Sequence, residues 1–144
     1  MVRLDEDDLR ERQRRIDATI ARASACHMSD AKWRKLFLAL GTLGVGRIAW
    51  RFVRSDQLTY QQPPPESALM DSCLGDFGHA VGVPYREIDW VEIPAERAAG
   101  VAEGLAAVGE FPVRQVASGL RIVGYSWQPP HAEPSAAPDG DEVS

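Results

Sequence analysis

Four sets of residues have types and spacings that bear on chemistry. The first is the glycine row of ALGTLGVGRIAW, with Gly41, Gly44 and Gly46. Close glycines cradle a phosphate when a strand precedes them and a helix follows. Here the pattern reads helix, glycines, strand. The spacing is G-x-x-G-x-G, and no Lys-Ser/Thr pair follows. The row is therefore read as a helix end and a turn. The second set is Cys73 and His79, with Asp71 and Asp76 close by. Nucleophilic catalysis needs these groups, so a Cys/His enzyme is one reading of the chain. No C-x-x-C or H-x-x-x-H spacing accompanies them, and neither a metal site nor a cofactor is expected.

The third set is YREIDWVEIP, where Glu87, Asp89 and Glu92 flank Trp90. Strict alternation puts Tyr85, Glu87, Asp89, Val91 and Ile93 on one face of a strand. Arg86, Ile88, Trp90 and Glu92 then lie on the other. Its carboxylates read as charges on a solvated face, and together with Trp90 they are the candidate contact surface for a partner. The fourth set is basic. Arg47, Arg51 and Arg54 lie near Trp50, and Arg10, Arg12, Arg14 and Arg15 lie in the N-terminal segment. Interleaved acids cancel most of the field in that segment, so nucleic acid is not the expected partner, and weak RNA binding stays an alternative.

The elements that must position these residues follow from periodicity. Residues 1–28 carry equal numbers of acids and arginines and read as a charged, helix-prone N-terminal extension. SDAKWRKLFLAL is a helix capped by Ser29 or Asp30, with Trp33, Leu36, Phe37 and Leu40 as its apolar stripe. RIAWRFV switches to period two and reads as a strand with Ile48, Trp50 and Phe52 facing inward. QLTYQQPPPES reads as a loop or polyproline spacer, and SALMDSCLGDFGHAVGVP as a short helix or irregular strand. A helix over AERAAGVAEGLAAVG and a hairpin over FPVRQVASGLRIVGYSW complete the list. Residues 29–127 are thus expected to form one α+β domain, an antiparallel or mixed sheet with helices packed on one face. Residues 128–144, with four acids and no Lys or Arg, read as a disordered acidic Pro/Ala-rich tail.

The net charge of −5 is carried mostly by that last segment. A nearly neutral remainder gives no general attraction to nucleic acid or to an anionic membrane. The opening MVRLDEDDLRERQRR has no apolar stretch, and no segment approaches a membrane span. With only two cysteines, a reducing cytoplasm is the expected setting.

SDAKWRKLFLAL, YREIDWVEIP and GLRIVGY together resemble a family of small bacterial proteins of unknown function. That family opens on a Lys-Trp-x-x-Leu helix and carries an Ile-Asp/Glu-Trp-x-Glu-Ile strand. The resemblance covers residues 29–127 and implies no catalytic residue. The chain also looks like an immunity protein, by size and acidity alone. The leading expectation is a non-enzymatic protein-binding module, immunity- or antitoxin-like, that neutralises a bacterial toxin by direct binding. Glu87, Asp89, Trp90 and Glu92 would make the contact.

Overall fold

The period of Trp33, Leu36, Phe37 and Leu40 requires a helix, and α2 spans Asp30–Thr42. Ser29 caps it, its Oγ accepting from the Lys32 amide at 3.1 Å. The four apolar residues of its stripe are buried. Gly44 follows the helix with φ +69°, a left-handed turn that sends the chain into a strand. The glycine row is thus a helix exit. The computed structural model describes residues 6–75 and 82–127.

A five-stranded antiparallel sheet receives α2. Its order is β3-β2-β4-β6-β5, with β2 Ile48–Phe52, β3 Leu58–Gln61, β4 Ile88–Pro94, β5 Val113–Val116 and β6 Gly119–Val123. A second helix, α3, spans Ala95–Val108 and packs with α2 on the inner face. The core there joins Trp33, Phe37, Trp50, Ile88, Val91, Ile93, Val101, Leu105, Leu120 and Ile122. A ladder of rings runs through it: Trp33, Phe37, Trp50 and Phe52 stack in succession at centroid distances of 5.7, 5.2 and 5.8 Å. Such pairs add about 0.5–1.5 kcal/mol each beyond area burial. The expected α+β architecture is the observed one, with α2 and α3 on one face of the sheet.

Several segments depart from the sequence reading. Leu58–Gln61 is not loop; it is the edge strand β3, paired with β2 from Ile48↔Gln61 to Arg51↔Leu58. The prolines that follow end it without contradicting it, because an edge strand needs only one side of its ladder. Within residues 1–28, Glu6–Ala21 is helix α1, of which only Ile16 is buried. Ala23–Cys26 is strand β1, which pairs antiparallel with β7, Tyr125–Trp127. The chain therefore joins the fold before Ser29, and Met28 is in the core. The hairpin turn, expected at Ser118–Gly119, falls at Ala117–Ser118, and Gly119 opens β6 where a Cβ would stand 1.9 Å from the Ile93 carbonyl oxygen. Residues 66–75 form a short 3-10 turn and bridges. They are held by Tyr85, whose hydroxyl donates to the Met70 carbonyl at 2.8 Å, and by Arg34, which donates to the Asp71 carbonyl. The tail of residues 128–144 lies outside the described residues, as do Asp76 and His79.

Candidate functional site

With α2 and α3 on the inner face, the outer face of the sheet is left uncovered by them, and the register fixes which side chains stand on it. Tyr60 lies opposite Ala49, Ala49 opposite Glu92, Glu92 opposite Arg121, and Arg121 opposite Arg114. One row thus crosses all five strands. A second row runs Leu58, Arg51, Trp90, Val123. Directly opposite residues share a face and approach within about 5 Å, so each row is a contact chain.

The alternation expected of YREIDWVEIP fails at two points. Tyr85–Glu87 is a 3-10 turn rather than strand. The β2–β4 register then slips between Arg51↔Trp90 and Phe52↔Ile88, which leaves Asp89 as an extra residue, a bulge. A bulge re-aims side chains, and here it sets Asp89 beside Trp90 in the same hollow instead of behind it.

The three carboxylates are not a solvated acidic surface. Glu87, Asp89 and Glu92 are 5%, 6% and 9% exposed. Each is spent on an internal partner, as a buried charge must be. Glu87 meets Arg54 at 3.2 Å, away from the two rows. Glu92 Oε1 accepts from Arg121 Nε and Nη2 at 3.1 and 2.9 Å, and its Oε2 accepts from Ser118 Oγ at 2.6 Å. Asp89 Oδ1 accepts from the Trp127 indole at 3.0 Å. Burial pushes the Asp89 carboxyl above its ordinary range; the Trp127 hydrogen bond and the charges of Arg51 and Arg121 oppose this. Of the four predicted contact residues, Trp90 alone is appreciably open to solvent.

What the outer face presents instead is guanidinium and ring. The Arg121 guanidinium lies 4.0 Å from the Trp90 ring centroid, and Arg47 lies 5.5 Å from that of Tyr60. Arg51 is tied to the Ser55 carbonyl and to Asp56 at 3.0 and 3.1 Å. Arg114 is exposed and has no ion pair among the described residues, although it stands directly opposite Arg121. Like charges facing across a ladder are unfavourable. Glu92 neutralises one of the two, and the other has no counter-charge among the described residues.

Two hollows open on this face. The larger, about 730 Å³, is walled by Arg47, Tyr60, Trp90, Glu92, Arg97 and Arg121 among others. The smaller, about 400 Å³, includes Arg51, Asp89, Trp90, Arg114, Arg121 and Trp127.

The remaining sequence candidates fall elsewhere. Trp50 is on the inner face and fully buried, so it cannot serve with Arg47 and Arg51 as a binding aromatic. Arg10, Arg14 and Arg15 pair with acids of their own helix. Cys73 is half-buried and bridges to Pro84, while its proposed partner His79 lies outside the described residues. Among the described residues no group of three His, Cys, Asp or Glu is placed to hold a metal ion. No helix among them is long and apolar enough to cross a membrane.

Tyr60, Arg114, Arg121 and Trp127 were not singled out by motif. Alternation in LRIV sets Arg121 opposite in facing to Leu120 and Ile122, and the β5–β6 register then places Arg114 across from it. Compared with protein-family models, curated proteins and solved structures, the chain matches none of them.

Proposed function

We propose that this chain is a non-enzymatic protein-binding module whose contact surface is the outer face of the five-stranded sheet. Its partner contributes an acidic segment. One observation carries the reading. A row of side chains crosses all five strands, and it ends on an arginine that faces another arginine and has no counter-charge of its own among the described residues. An acidic side chain from a partner would supply that charge. The rings of Tyr60, Trp90 and Trp127 supply rigid apolar area beside it, the combination that anchors protein interfaces.

A toxin-neutralising role keeps its place within this reading, with its charge logic reversed. A basic toxin would need exposed carboxylates at Glu87, Asp89 and Glu92, and these are buried against internal partners. The partner segment suited to the exposed groups is acidic. Exposed ion pairs give only about 0–1 kcal/mol each, so affinity must come mainly from the rings, and charge sets the rate and choice of partner.

The test is a titration of the full chain with a glutamate-rich peptide at low ionic strength, followed by the indole N–H resonances of Trp90 and Trp127. Both should move, and Arg47→Gln with Arg114→Gln should weaken the binding about tenfold. If a single-stranded RNA oligomer moves the same resonances and displaces the peptide, the face belongs to nucleic acid instead.

A further inference from the structure

The smaller hollow lies where the described residues end. Its wall includes Trp127, the last described residue, with Arg51, Arg114 and Arg121, Thr19 of α1, and Asp89, whose carboxylate accepts from the Trp127 indole. The sequence that continues from Trp127 is QPPHAEPSAAPDGDEVS. It carries Glu133, Asp139, Asp141 and Glu142, and no Lys or Arg. From the reading of the outer face as a site for acidic segments, on which this rests, we infer that residues 128–144 are an intramolecular ligand of that face. They occupy the hollow around Arg114 and hold the surface back from external partners.

Three features support the assignment. The first is charge: the segment bears −4 of the chain's net −5, and it is joined to the fold at the hollow that holds Arg114. The second is reach. Glu133 is six residues beyond Trp127, which spans up to roughly 20 Å when extended. Five strands are about 19 Å across, so the first acid reaches every strand, and the later acids have slack. The third is composition. Pro129, Pro130, Pro134 and Pro138 restrict the free segment, which lowers the entropy lost on docking. Its remaining residues are mainly small ones that fit a shallow groove.

A short tether gives an effective concentration in the millimolar range. With a dissociation constant of about 100 μM for the tail's own contact with the face, that competition weakens the apparent binding of an external peptide roughly tenfold. The segment thus sets a threshold: only a partner that binds more tightly than the tail, or engages the Tyr60 end as well, displaces it.

The experiment uses the full chain and a neutral-tail form carrying Glu133→Gln, Asp139→Asn, Asp141→Asn and Glu142→Gln. A synthetic peptide of residues 128–144 is titrated into each, read by the Trp90 and Trp127 indole resonances, with sedimentation to report mass. The inference expects the peptide to bind the neutral-tail form about tenfold more tightly than the wild type. Before any peptide is added, the two proteins should differ at Trp127 in low salt and converge in high salt. Equal binding to both forms would overturn the inference while leaving the acidic-partner reading standing. No binding to either, with identical indole resonances, would overturn both. Salt-sensitive dimerisation of the wild type alone would place the tail on a second copy and overturn the intramolecular assignment.

Discussion

Replacing Arg121 by Met tests the arrangement of the outer face most sharply. Methionine keeps a long apolar stem against Trp90 and removes the guanidinium. Glu92, 9% exposed, then keeps Ser118 as its one remaining side-chain partner among the hydrogen bonds described. Orphaning a buried carboxylate costs about 3–5 kcal/mol. The Arg121 side chain is 27% exposed, so water partly replaces it and the penalty falls to about 2–3 kcal/mol. The lost stack on Trp90 removes about 0.5–1 kcal/mol, and a sulfur–ring contact returns a similar amount. Urea unfolding should therefore show a lower midpoint at unchanged slope, and the melting temperature should fall by roughly 8–15 °C. The double variant Glu92→Leu, Arg121→Met removes the stranded charge and should recover most of the loss. A single variant within about 0.5 kcal/mol of wild type would refute the reasoning. A double variant no more stable than the single one would show that packing, and not the orphaned carboxylate, carries the effect.

Two further perturbations probe the same strands. Gly119→Ala should cost about 2 kcal/mol or more by urea unfolding, because its Cβ would stand 1.9 Å from the Ile93 carbonyl oxygen on β4. Gly100→Ala, in open space on α3, should stabilise by about 0.4–1 kcal/mol, and a reversed order would contradict the β4–β6 packing. Asp89→Asn keeps the acceptor for Trp127 and removes the buried charge. Burial raises the Asp89 pKa in the fold, so the stability it contributes is complete below the unfolded value near 3.9. That contribution is lost as pH climbs through the folded value. The variant should thus be more stable than wild type at pH 7, with the gap closing towards pH 4, and equal midpoints at pH 7 would count against it.

What the sequence discloses here depends on how far each determinant reaches along the chain. The helix over Trp33–Leu40 and the inward row Ile48, Trp50, Phe52 are local periodicities, and both appear where the pattern puts them. Strand β3 is four residues long and meets three prolines, so its composition resembles a loop; only pairing with β2 makes it a strand. Strand β1 has the sequence ASAC, with no apolar alternation, and it exists because β7 lies beside it from the other end of the chain.

The site was legible in part, for the same reason. Trp90 was identified from its own strand, but the fate of its acidic neighbours depended on distant residues. Glu92 is buried because Arg121, 29 positions on, covers it. Asp89 changes sides because one extra residue enters the ladder against β2. A period-two pattern carries neither fact, and without them three buried carboxylates pass for an exposed acidic surface.

The account's central claim is that the outer face, through Arg47, Arg114, Trp90 and Trp127, receives an acidic segment. The most direct measurement is the indole titration of the full chain with a glutamate-rich peptide, run beside the Arg47→Gln, Arg114→Gln form at low and high ionic strength. Saturable shifts are expected at Trp90 and Trp127, with binding that weakens with salt and is about tenfold weaker in the variant. Equally tight binding by the variant, or shifts confined to the indoles of Trp33 and Trp50, would contradict it.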